Sequence, residues 1–337
     1  MDKKILLGHG SGGKLTHELI RDLFITHFDN EVLASRSDSA VIDLGSQSLS
    51  FTTDSFVVDP VFFPGGDIGK LAIAGTVNDL AVSGARPLFL SVSFILEEGF
   101  PMSDLGIIVK SMADEAKYAG ITIATGDTKV VDRGKCDKIF INTTGIGILD
   151  PAKRDIGTGR RVEPGDQILI SGTVADHGMS IMAARENLQF SADIQSDCAS
   201  LNHMIAGVLD VSDNVRFMRD PTRGGVATVI AELVERMKFG IEIDESALPV
   251  RENVRGMCEI LGFDPLYVAN EGKVVLVVAG EDAGKALDAM KAHKFGKDAA
   301  IIGEVVRDHP GKAWMTTGIG GKRIIDMLAG EQLPRIC

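Results

Sequence analysis

The sequence predicts a two-domain protein of mixed α/β class, written more fully as α/β or α+β, and three observations predict it. Predicted strands alternate with predicted helices in both halves of the chain, which is typical of mixed α/β layers. A polar, glycine-containing segment at 151–164 separates the two halves and is typical of an inter-domain linker. The chain has 337 residues, 45% of them apolar, which is enough to build two buried cores.

In the first half, short β-like runs cover residues 40–44, 49–53 and 56–58. Longer strands are predicted at 88–97, 121–125 and 138–148, and helices at 67–84 and 103–119. The helix at 67–84 carries Gly69, Gly75 and Asn78 within an apolar pattern. Because glycine destabilises a helix interior, we expect close packing or a close ligand at this helix.

The second half repeats the alternation. Strands are predicted at 167–171, 240–243, 274–279 and 299–305, with helices near 176 and at 226–237, 250–261 and 283–293. We therefore divide the chain into an N-terminal glycine-rich loop and helix (1–35), a first domain (36–150), a second domain (151–310) and a C-terminal tail (311–337).

The charge and the cysteines limit the class of partner. A net charge of -12 argues against a nucleic-acid backbone or an anionic membrane as the main partner, since neither would be attracted over long range. The four cysteines form no C-x-x-C pair, and the first residues contain no apolar signal region. The sequence therefore predicts a reducing, cytoplasmic protein that holds any phosphate locally, through backbone amides, a few Lys or Arg side chains and a divalent metal.

The last four residues, Pro334 to Cys337, place a thiol at the end of the sequence behind a proline that keeps the backbone extended. About fifteen residues of extended chain reach ~50 Å. Such a thiol could visit both this protein's own site and that of a partner. The alternative is a frayed end that happens to finish in cysteine.

Residues 8–14 form a glycine-rich stretch, GHGSGGK, that leads into an amphipathic helix. Backbone amides at a helix N-terminus can cradle an anion. The stretch matches neither the Walker nor the Rossmann pattern, and a flexible N-terminal turn is the alternative interpretation.

Four aspartates, Asp38, Asp54, Asp79 and Asp127, fall at predicted strand ends or beside glycines. Four converging carboxylates would repel one another unless cations lay between them, as magnesium does against nucleotide phosphates. Lys129, two residues after Asp127, could face phosphate oxygens. For each aspartate taken singly, a turn or a helix cap is the alternative.

Several motifs together carry a family resemblance. The stretches HGSGGK, DSAV, TTDSFVV, FPGGDIGKLAIAGTVNDLAVSGARP, ATGDTKVV and DPTRGGVA resemble those of the superfamily of aminoimidazole ribonucleotide synthetase and selenophosphate synthetase. Within it, FPGG, TGDTKVV, NEGK and the closing PRIC resemble the carbamoyl dehydratases of hydrogenase maturation. The resemblance runs from about His9 to Cys337. The glycine-rich loop lacks the reactive cysteine or selenocysteine of selenophosphate synthetases, which counts against that activity.

The resemblance implies a PurM-like fold in which the N-terminal sheets pair across a homodimer, with ATP near the domain and subunit boundaries and a flexible C-terminal tail. It implies an ATP- and Mg²⁺-dependent enzyme that dehydrates an S-carboxamide on Cys337 to an S-cyanide, the source of the cyanide ligands of [NiFe]-hydrogenase. The implied partners are the carbamoyltransferase HypF and the iron-carrying HypC–HypD complex.

The resemblance also implies residue roles. Cys337 would carry the substrate, and Lys129 and Glu271 would position and deprotonate it. Residues implied to bind the nucleotide are His9, Gly10, Gly12, Gly13, Asp38, Asp54, Asp79, Asp127, Asn142 and Arg223, with the four aspartates holding Mg²⁺. Without the family, Glu271 would be interpreted as part of a surface turn, and Arg223 with Asp220 could simply hold the two domains together.

Two other functions remain open from the sequence. One is a non-catalytic scaffold whose tail docks on maturation partners. The other is an ATP-dependent enzyme acting on a small molecule, as in the related synthetases.

Overall fold

The structure, a computed structural model, describes residues 13–28, 37–45, 48–186, 194–235, 237–328, 333 and 335–337. The N-terminal helix α1 (Lys14–Leu19) continues as a π-helical segment, Ile20–Ile25, and a last helical turn, Thr26–Phe28. In these described ranges, none of the helices combines the length and the apolar character that crossing a membrane requires.

The first domain is built on a five-stranded sheet. Its first two strands are β1 (Ala40–Asp43) and β2 (Ser48–Phe56), and a small hairpin, β3 (Phe62–Phe63) with β4 (Gly66–Asp67), stands apart from the sheet. The remaining strands are β5 (Ala85–Glu97), β6 (Thr122–Val131) and β7 (Ile139–Leu149), in the order β1-β2-β7-β5-β6. Only the β5–β6 pair among these neighbours is parallel.

Two helices, α2 (Ile68–Val82) and α3 (Met102–Ala119), cover one face of this sheet. Helix α2 is apolar all round and almost completely buried, as expected of a helix enclosed on every side. The Asp67 carboxylate caps it by accepting hydrogen bonds from the amides of Gly69 and Lys70. A Cβ atom on Gly69 would lie 2.5 Å from the Ile108 carbonyl oxygen of α3, so this glycine is explained by close helix packing.

The second domain contains a seven-stranded sheet with helices on both faces. Its helices are α4 (Asp176–Arg185), α5 (Asn202–Val211), α6 (Gly225–Val234), α7 (Glu252–Leu261) and α8 (Ala283–Ala292). Its strands are β8 (Gln167–Ile170), β9 (Val215–Arg219), β10 (Gly240–Asp244), β11 (Val275–Val278), β12 (Ala300–Val306), β13 (Ala313–Thr316) and β14 (Lys322–Ile325). They are ordered β14-β13-β10-β12-β8-β11-β9.

Asn78 joins the two domains. Its side-chain amide donates to the Ala199 carbonyl oxygen over 3.0 Å and accepts from the Leu201 amide over 2.8 Å. A buried amide with both ends paired stabilises one relative placement of α2 and the second domain. The polar residue that looked anomalous in an apolar helix is therefore a domain contact.

Three boundaries differ from the sequence prediction. Strand β2 runs unbroken to Phe56, so Asp54 lies inside a strand and not after one. Strand β6 continues to Val131 because it pairs with the long β5 as far as Glu97, so Asp127 and Lys129 are strand residues and not loop residues. The segment predicted to begin the tail at 311 instead contributes β13 and β14 to the second sheet, and the chain leaves that sheet after Ile325.

Candidate functional site

Four aspartates and one glutamate come together between the domains. Asp54 comes from β2, Asp79 from α2, and Asp38 from the turn before β1, while Asp220 and Glu271 come from loops of the second domain. Asp220 and Glu271 are 7% and 3% exposed. We call these five residues the acidic cluster.

The acidic groups perturb one another. Burial, followed by the charges of Asp220, Asp54 and Asp38, raises the pKa of Asp79 well above its ordinary value. Burial and the charges of Asp38 and Asp54 likewise raise the pKa of Asp220. Such mutual elevation means that the local negative charge is only partly compensated, and a cation placed here would be stabilised.

Two arginines compensate part of this charge. The Arg219 Nε lies 3.1 Å from the Asp38 carboxylate, and its Nη1 lies 2.5 Å from Glu232. The pKa of Arg223 is raised first by Cys337 and then by Asp54 and the other carboxylates, so its guanidinium faces the cluster. Arg223 therefore interacts with the acidic cluster and with the end of the chain.

The thiol of Cys337 reaches this cluster. It interacts with the Glu271 carboxyl group, and burial raises the pKa of the thiol far above its ordinary value, with Arg223 acting in the opposite direction. Burial, then Asp220, Asp197 and Asp54, raises the pKa of Glu271. The Oε1 atom of Glu271 is buried and accepts no hydrogen bond within the described structure.

Asp197 anchors the loop that carries Glu271. The Asp197 carboxylate accepts hydrogen bonds from the amides of Glu271 and Gly272 and from the Lys273 ammonium. A Cβ atom on Gly272 would lie 1.8 Å from the Asp197 carbonyl oxygen, so only glycine fits this contact. The NEGK motif is thus a buried, anchored loop, and the surface-turn interpretation of Glu271 is wrong.

The end of the chain docks against the segment after β2 like a short extra strand. The Val57 amide donates to the Cys337 carbonyl oxygen over 3.2 Å, and the Asp59 amide donates to the Arg335 carbonyl oxygen over 3.3 Å. Ile336 lies between them, 3% exposed, in the core of the first domain. The described end of the chain therefore rests inside the protein, and Ile336 occupies an apolar pocket.

Side chains of α4 complete this docking. His177 Nε2 hydrogen-bonds the Ile336 carbonyl oxygen over 2.8 Å, and Nδ1 hydrogen-bonds Ser196 Oγ over 2.8 Å. Because a carbonyl oxygen only accepts, Nε2 carries the proton. Arg185 donates to the carbonyl oxygens of both Asp59 and Arg335. We call His177, Arg185 and the residue 57–59 segment the tail clamp.

Three predicted site residues, Asp127, Lys129 and Asn142, do not reach the acidic cluster within the chain. Asn142 and Asp127 lie on the opposite face of the first sheet from Asp54, because they face Ser55 and Ser93 across the strands. Three strand spacings, about 14 Å, separate Asp127 in β6 from β2. Asp127 pairs with Lys129 on this exposed face, and Asn142 donates to the Asp54 carbonyl oxygen from the same face.

Most of the glycine-rich loop lies outside the residues that the structure describes. His9, Gly10 and Gly12 lie outside the described residues, and Gly13 directly precedes α1. Among the described residues, no group of three or more His, Cys, Asp or Glu side chains is placed so that these side chains alone could hold a metal ion. The sequence analysis missed Asp197, which anchors the Glu271 loop, and His177 and Arg185, which contact the end of the chain. Nothing in their local sequence indicates these contacts.

Known proteins resemble the chain along its whole length. Residues 36–149 match the N-terminal domain of the AIR synthase related protein family, and residues 163–315 match its C-terminal domain. The carbamoyl dehydratase HypE of Cupriavidus necator is 50% identical over 335 residues, which cover 99% of this chain and 95% of that protein. The chain belongs to the AIR synthase related family and, within it, to the carbamoyl dehydratases of the HypE type.

Solved structures of this family agree with the fold. HypE in a HypE–HypF complex is 50% identical, with a TM-score of 0.86 and coverage of 92% of this chain and 99% of that one. HypE in complex with ATP is 49% identical, with a TM-score of 0.82 and coverage of 99% and 100%. The PurM-like fold and the enzyme family predicted from the sequence are therefore confirmed.

Proposed function

We propose that Cys337 carries an S-carboxamide, which the acidic cluster, with its member Glu271 as the base, dehydrates to an S-cyanide at the expense of ATP. The observation that carries the proposal is the contact between the Cys337 thiol and Glu271, whose Oε1 atom is buried without a partner. Leaving a buried acceptor unsatisfied costs about 1–3 kcal/mol. The NH₂ group of a carboxamide on the sulfur would supply the missing donor.

The reaction removes one oxygen atom and two protons from the carboxamide. Oxide is a poor leaving group, so the amide oxygen takes the γ-phosphoryl group of ATP and then departs as phosphate. The carbon–nitrogen bond becomes a triple bond as both N–H protons leave. Glu271 is placed to accept the N–H protons, and its environment strengthens it as a base once it is ionised.

The acidic cluster fits a magnesium nucleotide. Asp38, Asp54, Asp79 and Asp220 would provide carboxylate oxygens, the ligands that Mg²⁺ prefers, and their raised pKa values support the proposal that a cation would be stabilised there. Bound Mg²⁺ would neutralise charge on the phosphates. Arg223 would face the transferred phosphoryl group or the sulfur-bound amide, because it interacts with both Cys337 and Asp54.

A second copy of the chain would bring Asp127 and Lys129 into a site. The outer face of the first sheet exposes large apolar residues, namely Phe51, Phe89, Ile95 and Ile146. A contiguous apolar face of this kind is typical of an interface. In such a homodimer, the Asp127–Lys129 pair of one subunit would act in the site of the other, together with Asn142 as a nucleotide contact near the interface.

The partners follow from the family. HypF would carbamoylate Cys337, which requires the tail to leave its clamp, and the HypC–HypD complex would accept the cyanide. The glycine-rich loop with His9, Gly10, Gly12 and Gly13 would cover the nucleotide. All four cysteines, Cys136, Cys198, Cys258 and Cys337, are unpaired, which supports a reducing cytoplasmic location.

Mass spectrometry of the tail tests the proposal. After incubation with HypF, carbamoyl phosphate and ATP, Cys337 should first gain a carboxamide and then lose one water. The Cys337→Ala variant should still fold and bind ATP but form no thiocyanate. Undiminished thiocyanate formation by that variant would contradict the carrier role.

A further inference from the structure

A second polar pocket lies at the domain boundary. Its volume is about 430 Å³. The first domain contributes Gly65 and Lys70, and loops of the second domain contribute the remaining wall. None of the acidic-cluster residues lines it, and neither does Cys337. The pocket is therefore separate from the site at which the tail ends.

Five basic side chains line this pocket, against two acidic ones, in a chain whose net charge is -12. The basic residues are Lys70, Arg251, Lys273, Lys294 and Lys297. The acidic residues are Asp197 and Asp298. A local excess of positive charge in an acidic protein is the pattern expected where an anion binds.

Three of the lysines lack a carboxylate partner. Among the described residues, Lys70, Lys294 and Lys297 form no ion pair within 4.0 Å. The Lys70 ammonium instead donates to the Gly65 carbonyl oxygen over 3.0 Å, and the Lys294 ammonium lies 4.0 Å from the centre of the Tyr118 ring. Their charges therefore remain available to a ligand.

The negative charge of Asp197 is compensated by hydrogen-bond donors and an ammonium group of the protein. Its carboxylate accepts from Lys273 over 2.9 Å and from the amides of Glu271 and Gly272. These contacts hold the pKa of Asp197 below its ordinary value even though burial acts to raise it. Asp298 is then the one lining carboxylate in the described pocket wall with no such compensation, and the field inside the pocket remains positive.

We propose that this pocket binds a small phosphorylated anion. Lysine ammonium groups are compact charges suited to phosphate oxygens, and several of them converge here on one cavity. A volume of about 430 Å³ falls within the ordinary range of ligand pockets, about 300–1,000 Å³. The pocket accommodates a pyrophosphate-sized group in contact with Lys294, Lys297 and Lys70.

Calorimetric titration of the full chain with inorganic pyrophosphate at low salt tests the proposal. The wild type should bind, and the double variant Lys294→Gln/Lys297→Gln should bind at least tenfold more weakly, because two charge-assisted contacts are lost. Asp298→Asn should bind more tightly than the wild type, since it removes the uncompensated negative charge. Thermal unfolding of each variant establishes that it is folded.

Two controls separate this pocket from general charge and from the acidic cluster. The variant Lys110→Gln/Lys291→Gln makes the same charge change outside the pocket, and Arg223→Gln alters the tail site; both should bind pyrophosphate as the wild type does. The proposal is overturned if the wild type does not bind at millimolar pyrophosphate, if the outside pair weakens binding as much as the pocket pair, or if Arg223→Gln alone abolishes it.

Discussion

The Cys337 thiol and the Glu271 carboxyl group interact with each other in the interior of the protein. One is the last residue of the sequence, and the other belongs to a loop of the second domain anchored by Asp197. Their contact places the group that would carry the substrate against the group that would remove its protons. It also keeps the thiol protonated, since burial and Glu271 both raise its pKa.

Glu271→Gln should stop dehydration but leave carbamoylation intact. The amide keeps the shape of the side chain and an oxygen that can accept from the thiol, but it cannot act as a base. Loss of a general base costs about 10²–10⁴ in rate, so we expect at least a hundredfold slower loss of water from the carbamoylated tail. The mass of the tail peptide measures both steps.

A matched control for this variant is Glu259→Gln, an exposed carboxylate on α7. It should dehydrate the tail at the wild-type rate. Full turnover by Glu271→Gln would remove Glu271 as the base.

Ile336→Ala should release the tail from its clamp. Fully burying an isoleucine side chain contributes about 1.5–3 kcal/mol, so its loss should raise the undocked population about ten- to a hundredfold. Because the docked thiol is enclosed and has a raised pKa, the variant should react faster with iodoacetamide at pH 8. The rate of Cys337 alkylation, read by mass spectrometry, measures the effect.

Ile319→Ala is the corresponding control, because Ile319 is 98% exposed. Its tail should be alkylated at the wild-type rate. An Ile336→Ala rate equal to that of the control would mean that the buried side chain does not hold the tail.

The sequence predicted the fold and which of several residues meet between the domains, but it did not predict the placement of every candidate site residue. Local patterns predicted the alternation of strands and helices and placed DPTRGG and NEGK between these elements. The family resemblance predicted that Asp38, Asp54 and Asp79 converge. Whether Asp127 joins them depends on which face of β6 it occupies, and that depends on how far β6 pairs with β5. Strand length is decided by the partner strand, so local sequence did not determine it.

The resting position of the tail is a second feature that the sequence did not predict. The sequence marks Cys337 as exceptional but does not say where it rests, because the tail clamp is formed by residues far away along the chain. His177 and Arg185 are about 150 residues from the carbonyl groups they bind. Contacts of this kind leave no periodic or spacing signal in a single sequence.

Lowering the pH should decrease the free energy of unfolding because His177 becomes protonated. Burial lowers the pKa of His177 below its ordinary value, although Asp197 and the Ile336 carbonyl act to raise it. The neutral ring is therefore favoured in the folded state, and its contribution is fully present above the unfolded pKa of about 6.5. It is lost as the pH falls below 6.5, by at most about 1.4 kcal/mol per pH unit for one proton.

Urea unfolding at pH 7.5 and 5.5 measures this effect. The free energy of unfolding should decrease from pH 7.5 to pH 5.5 by less in His177→Gln than in the wild type, because glutamine does not titrate. The control His27→Gln replaces an exposed histidine and should show the same decrease as the wild type. An identical decrease in wild type and His177→Gln would show that another group dominates.

Mixing two inactive variants tests whether the sites are shared between subunits. Lys129 lies on the exposed outer face of the first sheet, whereas Glu271 and Cys337 lie in the acidic cluster. If Lys129 acts across a dimer, a heterodimer of Lys129→Ala and Glu271→Gln chains contains one site with both residues intact. Refolding the two inactive variants together should then restore dehydration at least tenfold above either parent.

The control is a pair of inactive variants whose substitutions lie in the same site of one chain. Glu271→Gln mixed with Cys337→Ala should not recover, because Glu271 and Cys337 contact each other within one chain and each heterodimer site lacks one of them. Recovery in the Lys129 pair alone requires Lys129 to serve the other subunit. Failure of that pair to recover, with heterodimers demonstrated by mass, would place Lys129 outside the reaction or require its strand to move within one subunit.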